Sequence, residues 1–163
     1  AEGECCEAKS GPYTISTESE VVLDGIPDIL KRCMRLTGPG GESRPVTMYQ
    51  YLGWPDHGVP QDAVAITELL RVMEENEAGH PILVHCSAGV GRTGVLITAH
   101  LTLLKRRAAL TNGSAAPAAY NILQTVCQLR VRRAHLVQTA EQLSFAYDVI
   151  CLAVAKEESK QQD

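Results

Sequence analysis

The feature that most constrains this chain is a short apolar run, Pro81-Ile82-Leu83-Val84, which leads into a glycine-bearing loop and then a helical pattern. A continuous apolar run of this length, bounded by turn residues, predicts a fully buried strand. The loop from His85 to Gly91 carries glycines at 89 and 91, and an amphipathic pattern opens near Arg92. It continues through Leu96, Ile97, His100, Leu101 and Leu104 to the basic Lys105-Arg106-Arg107. Strand, tight loop and helix start together make an anion site. The glycines let backbone amides converge, and the helix N-terminus adds partial positive charge. The residue opening the loop is Cys86, not a lysine. A thiol ringed by amide donors, Arg92 and a helix start is expected to titrate within roughly 3.5–7.5. Such a loop both binds a phosphate dianion and presents a thiolate to its phosphorus. Arg92 stands six residues beyond Cys86, where its planar fork reaches two phosphate oxygens as a lysine cannot. A lone Cys-x5-Arg is more often an inert buried cysteine beside a surface arginine. Here His85, Gly89, Gly91, Thr93 and Gly94 all agree with the phosphate reading.

Upstream, Leu30–Leu36 and Val46–Tyr51 are rich in strand formers and flank Gly38-Pro39-Gly40-Gly41, so they predict a hairpin. Asp62 reads as the N-cap of a helix running to about Asn76, with Ile66, Leu69, Leu70 and Met73 on one face and Gly79 just beyond. Residues 111–117 read as a loop, followed by helices over about 118–133 and 139–155, then a polar, frayed tail at 156–163. Strands first, then a strand–loop–helix unit, then helices predict an α/β or α+β domain spanning residues 1–163.

At 163 residues the chain holds one domain with a real core. A net charge of -4 argues against a general nucleic-acid binder. No apolar run reaches the roughly 20 residues of a membrane span. The start, Ala1-Glu2-Gly3-Glu4-Cys5-Cys6, lacks the form of a signal peptide and has no initiator Met, the expectation for a processed chain or a fragment. The six cysteines are scattered, without zinc spacing, which favours a reducing, cytoplasmic setting. Cys127 and Cys151 fall in apolar helical surroundings and read as small buried hydrophobes.

The run from Val84 through His85-Cys86-Ser87-Ala88-Gly89-Val90-Gly91-Arg92-Thr93-Gly94 resembles the signature loop of the tyrosine-specific protein tyrosine phosphatases. Dual-specificity phosphatases usually lack this Ser-Ala-Gly-x-Gly interior. The resemblance implies a central mixed β-sheet flanked by helices. It also implies phosphotyrosine hydrolysis through a cysteinyl-phosphate, with Cys86 as nucleophile and residues 87–92 holding the phosphate. Trp54-Pro55-Asp56-His57-Gly58-Val59-Pro60 resembles the family's mobile acid loop. Asp56 would donate a proton to the leaving phenolate, a step that a carboxyl on a closing loop can supply. Taken alone, Pro-Asp-x-Gly is also good turn chemistry.

Gln138-Thr139-Ala140-Glu141-Gln142 is similar to the segment with which the family positions water. Two glutamines four apart at a helix start face one direction; solvated helix amides would look the same. By the same likeness Thr93 would donate its hydroxyl to the Cys86 thiolate, and His85 would help hold the thiolate through hydrogen bonds around the loop. Arg130 would brace the hinge of the acid loop, and Arg133 holds the family's other arginine position. His135 stands where relatives vary in bulk at the pocket rim. No metal or cofactor is implied, since the arginine and amides supply the charge.

The likeness covers roughly residues 42 to 150 and lacks the N-terminal part of the fold, including the loop whose tyrosine sets pocket depth. A fragment, a naturally short member and a deliberately minimal form all fit this pattern. Three activities stay open: a phosphotyrosine phosphatase, a phosphotyrosine-binding scaffold, and a phosphatase of broader scope. The expected partner is a phosphotyrosine protein or peptide, and self-association is expected through the edge of a truncated sheet.

Overall fold

The computed structural model describes residues 7–76, 79–113 and 121–160. They form two compact units, residues 1–54 and 55–163.

The first unit is an antiparallel sheet of strands β1 (Glu7–Ser10), β2 (Tyr13–Leu23), β3 (Ile26–Thr37) and β4 (Ser43–Tyr51), paired in sequence order. Two-residue turns set the first two registers: Ser10 pairs with Tyr13 across Gly11-Pro12, and Leu23 with Ile26 across Asp24-Gly25. An Asp-Gly pair is a strong short hairpin signal, and Gly25 takes the left-handed φ of 75° in this turn. The expected hairpin across the glycines is present, with Thr37 opposite Ser43 and Leu36 opposite Arg44. Its loop closes through Gly38 N–H to Glu42 O at 2.8 Å. Pro45 lies on β4, an edge strand, where a missing amide donor is tolerated. Ile29 is wholly buried.

The sheet is antiparallel throughout, not mixed, because residues 81–84 form no ladder. Leu83 is 88% exposed and Ile82 46%. A continuous apolar run becomes a buried strand only with neighbours on both sides. Each described strand instead pairs with its neighbour in sequence, and none pairs with 81–84.

The second unit contains helices α1 (Val64–Glu74), α2 (Arg92–Thr111), α3 (Ile122–Arg132) and α4 (Ala140–Lys160). Helix α2 packs against α3 and α4, and α1 packs against α4. The core interleaves Ile66 and Leu70 of α1 with Val95, Ala99 and Leu103 of α2, Ile122 and Val126 of α3, and Phe145, Ala146 and Val149 of α4. Each larger apolar side chain among them contributes about 1.5–3 kcal/mol through burial. Asp62 accepts from the Val64 amide at 2.9 Å, one residue outside the Ala63 cap position. Asn121 caps α3 by accepting from the Gln124 amide at 3.0 Å; the expected helix residues 118–120 lie outside the described residues.

Helix α4 continues through the polar run to Lys160 where a frayed tail is expected. Arg106 and Arg107 of α2 explain the extension: they bind Glu157 and Glu158 on that last turn, and Arg107 also binds Glu74 of α1. Cys127 and Cys151 are exposed, not buried. The buried stripes run through Thr125 and Val126 on α3 and Val149 and Ile150 on α4. A helical neighbour one position on points about 100° away from such a stripe.

Candidate active site

Cys86 opens the loop and Gly91 caps α2, whose first residue is Arg92. The Gly89 amide donates to the Cys86 sulfur at 3.3 Å. Burial by itself pushes the Cys86 thiol up, but the Thr93 hydroxyl and the amides of Thr93, Gly89 and Val90 outweigh it and lower it to about 7. Thr93 Oγ1 is buried, and its hydroxyl is first among the groups that favour a thiolate at Cys86. His85 is exposed, and its Nδ1 lies 3.2 Å from the Cys86 carbonyl.

Arg133 holds the loop from outside. Its Nε donates to Gly89 O at 2.9 Å and its terminal nitrogen to Ala88 O at 3.0 Å. With these carbonyls drawn outward, the adjoining amides face the sulfur. Arg92 donates to the Pro55 carbonyl at 3.1 Å, tying the residue before Asp56 to the start of α2. Asp56 is exposed, on a loop whose Gly58 approaches the Glu141 carboxylate.

The two glutamines do meet at the loop. A Cβ placed on Gly91 would lie 2.7 Å from Gln138 Oε1 and 2.9 Å from Gln142 Nε2. Only glycine leaves room there for an acceptor and a donor side by side. Thr139 accepts from the Gln142 amide at 3.1 Å, as the Thr-x-x-Gln start of a helix requires. Gln142 Oε1 accepts in turn from the Gln138 amide at 2.8 Å, which fixes the orientation of its carboxamide. The segment preceding Gln138 folds back onto the loop, with the Val137 amide donating to Val90 O at 3.0 Å.

Arg130 donates to Leu136 O at 2.9 Å and to Val137 O at 2.6 Å. It lines a cavity of about 420 Å³ together with Ala134, His135 and Gln138. The sequence reading assigns Arg133 no task, and only the bidentate spacing to successive loop carbonyls reveals one. Among the described residues no group of three metal-ligating side chains assembles, and no helix is long and apolar enough to cross a membrane.

A loop that lowers a thiol, holds an arginine at its end and sits under paired carboxamides has counterparts among known proteins. The protein-tyrosine phosphatase family profile matches residues 4–152. The mouse tyrosine-protein phosphatase non-receptor type 18 is 37% identical over 145 residues, covering 87% of this chain and 30% of that protein. The human non-receptor type 20 is 36% identical over 116 residues, covering 71% of this chain and 26% of that protein. The crystal structure of the human type 18 catalytic domain superposes with a TM-score of 0.73 at 33% identity, covering 90% of this chain and 50% of that one. A Trypanosoma brucei protein tyrosine phosphatase gives 0.73 at 34% identity, covering 87% of this chain and 49% of that one. The chain thus spans about half of these solved domains and less than a third of the two curated relatives. With an α+β fold and this profile over most of its length, the chain belongs to the protein-tyrosine phosphatase family.

Proposed function

We propose that this chain hydrolyses phosphotyrosine monoesters in proteins or peptides through a cysteinyl-phosphate. The observation that carries the reading is the Cys86 sulfur, lowered to about 7 inside a loop of inward amides. The thiolate attacks phosphorus in line, forming the S–P bond as the P–O bond to the phenol breaks. Arg92 and the amides of residues 87–92 bind the equatorial oxygens, whose charge they oppose most strongly in the transition state. Asp56 gives its proton to the departing phenolate. Gln138 and Gln142 then orient a water. Its oxygen attacks phosphorus, the S–P bond breaks with its electron pair returning to Cys86, and the water's proton passes to Asp56. This chemistry requires a reduced Cys86; Cys33, Cys86, Cys127 and Cys151 are all free thiols, which supports a cytoplasmic setting.

The test is release of p-nitrophenol from its phosphate ester by the chain with a chelator present. Turnover is expected, and Cys86→Ser abolishes it; turnover that survives the substitution rejects the mechanism. A phosphotyrosine-binding module is the second reading, favoured by a chain that spans only about half of the solved phosphatase domains. Phosphopeptide binding by the unsubstituted chain with no phosphate released over hours would select it.

A further inference from the structure

The acid loop touches the starts of two helices. Arg92, the first residue of α2, donates to the Pro55 carbonyl at 3.1 Å, one residue before Asp56. Two residues after Asp56 the loop meets α4: a Cβ placed on Gly58 would lie 3.7 Å from Glu141 Oε2, an ordinary contact distance. Gly58 has φ 79°, a turn of the chain that costs little only in a glycine. The exposed Asp56 therefore lies between two held points, and the direction of its carboxyl follows from both.

Glu141 is in the first turn of α4, where a carboxylate complements the helix dipole. That role needs no particular side-chain direction, yet the neighbouring residues impose one. Thr139 accepts from the Gln142 amide at 3.1 Å, and Gln142 Oε1 accepts from the Gln138 amide at 2.8 Å. The turn is thereby fixed with Gln142 over Gly91. A helix residue one position earlier points about 100° away, and from there Glu141 reaches the acid loop.

We propose that Glu141 is a positioning residue for the proton donor. Its carboxylate bears on the Gly58 end of the acid loop, as Arg92 holds the Pro55 end, and together they set Asp56 against the leaving oxygen. The inference rests on the reading above that Asp56 protonates the departing phenolate. Loss of Glu141 leaves the Cys86 sulfur with its Gly89 amide donor and impairs the proton transfer. The loss is therefore selective for poor leaving groups.

Values of kcat/KM for the full chain with p-nitrophenyl phosphate and with phenyl phosphate provide the test, because this ratio reports the steps up to P–O cleavage. p-Nitrophenolate leaves with little help from an acid. Phenolate, as basic as that of tyrosine with its pKa of about 10, needs one. Glu141→Ala should lower kcat/KM for phenyl phosphate about tenfold, within the roughly hundredfold that a misplacement of about 1 Å can cause. For p-nitrophenyl phosphate the fall should be less than about threefold. Glu141→Gln should recover most of the loss, because its carboxamide keeps an oxygen at the same reach, and the shorter Glu141→Asp should recover little. A carboxylate that serves only the helix dipole gives the reverse order, with both substrates falling together. In an Asp56→Asn background, where no proton is donated, Glu141→Ala should change kcat/KM for phenyl phosphate less than about twofold.

The proposal is overturned if both substrates fall equally, if neither falls, if Glu141→Asp recovers more than Glu141→Gln, or if Asp56→Asn leaves the Glu141→Ala effect at full size. Asp56→Asn alone separates this inference from the reading beneath it. A loss in Asp56→Asn no larger for phenyl phosphate than for p-nitrophenyl phosphate removes the reading that Asp56 is the acid. A larger loss there, with none specific to phenyl phosphate in Glu141→Ala, removes the role of Glu141 alone.

Discussion

Replacing Thr93 by valine isolates one hydroxyl, because valine keeps the branched volume of a side chain that is 5% exposed and loses only the O–H. The Cys86 thiol is lowered from 9.0 to about 7 against the opposing effect of burial, with the Thr93 hydroxyl first among the lowering groups. The amides of Thr93, Gly89 and Val90 also lower it, and they remain in the variant. A hydrogen bond to a charged group contributes about 1.5–3 kcal/mol, or roughly 1–2 pKa units at about 1.4 kcal/mol each. Cys86 is half-buried and partly screened by water, so the lower end applies and a rise of about one unit is expected.

The sign follows from a depressed folded-state value: the thiolate is favoured by folding. This contribution to stability is full above the unfolded thiol's pKa and is lost as pH falls through about 7. Thr93→Val reduces it and moves its loss to higher pH. Iodoacetamide alkylation, followed by mass spectrometry on the Cys86 peptide, reads the midpoint apart from the other thiols. An unchanged midpoint in Thr93→Val, or an equal rise in Thr93→Ser, would refute the assignment.

Gly91→Ala brings a Cβ against the ends of Gln138 and Gln142; the carboxamides must turn away, and turnover is expected to fall at least about tenfold while the first burst persists. Rapid-quench measurements check this. Gly94→Ala places a Cβ 2.5 Å from the Val137 backbone nitrogen, which cannot give as a side-chain end can, so a loss of about 1–3 kcal/mol is expected in urea unfolding. Arg133→Ala frees the Ala88 and Gly89 carbonyls and should weaken binding of a phosphate mimic such as vanadate by about tenfold, consistent with roughly 1.4 kcal/mol. Exposed Ile82 and Leu83 should drive concentration-dependent association, which Leu83→Lys should diminish in gel filtration; equal elution of both proteins at every concentration would count against it.

The cysteine loop was legible because its chemistry is local: a nucleophile, amide donors and an arginine must lie within one turn of chain. The glycines follow from that crowding, and Gly91 beneath two carboxamides is a position where any side chain collides. The helices were legible from their periodicity. What failed to show had non-local causes. The run 81–84 has the composition of a buried strand, but composition does not say whether neighbours exist to pair with it. Cys127 and Cys151 have apolar sequence neighbours, yet face away from the buried stripes. The Asp24-Gly25 turn, by contrast, is a local signal that two adjacent residues carry. Val137 carried none: nothing in a valine's surroundings along the chain announces a left-handed backbone.

Two arginines at the C-terminal end of α3 show why the site needs more sequence than its signature loop. Arg130 lies in the last turn of α3 and Arg133 is its C-cap, and each spends its planar fork on carbonyls of a different loop. Arg133 shapes the loop where the phosphoryl group would arrive, and Arg130 shapes the turn before the glutamines. The Val137-to-Val90 hydrogen bond joins the two loops directly. Helix α3 is anchored on α2 through buried Ile122, Thr125 and Val126, and α2 itself begins at Arg92. Both halves of the proposed reaction are therefore referenced to one packed pair of helices. An error of about 1 Å in that packing would misplace the nucleophile and the water together. The selectivity of the forks allows the opposite: each arginine can be removed to loosen its own loop while the helix frame stays in place.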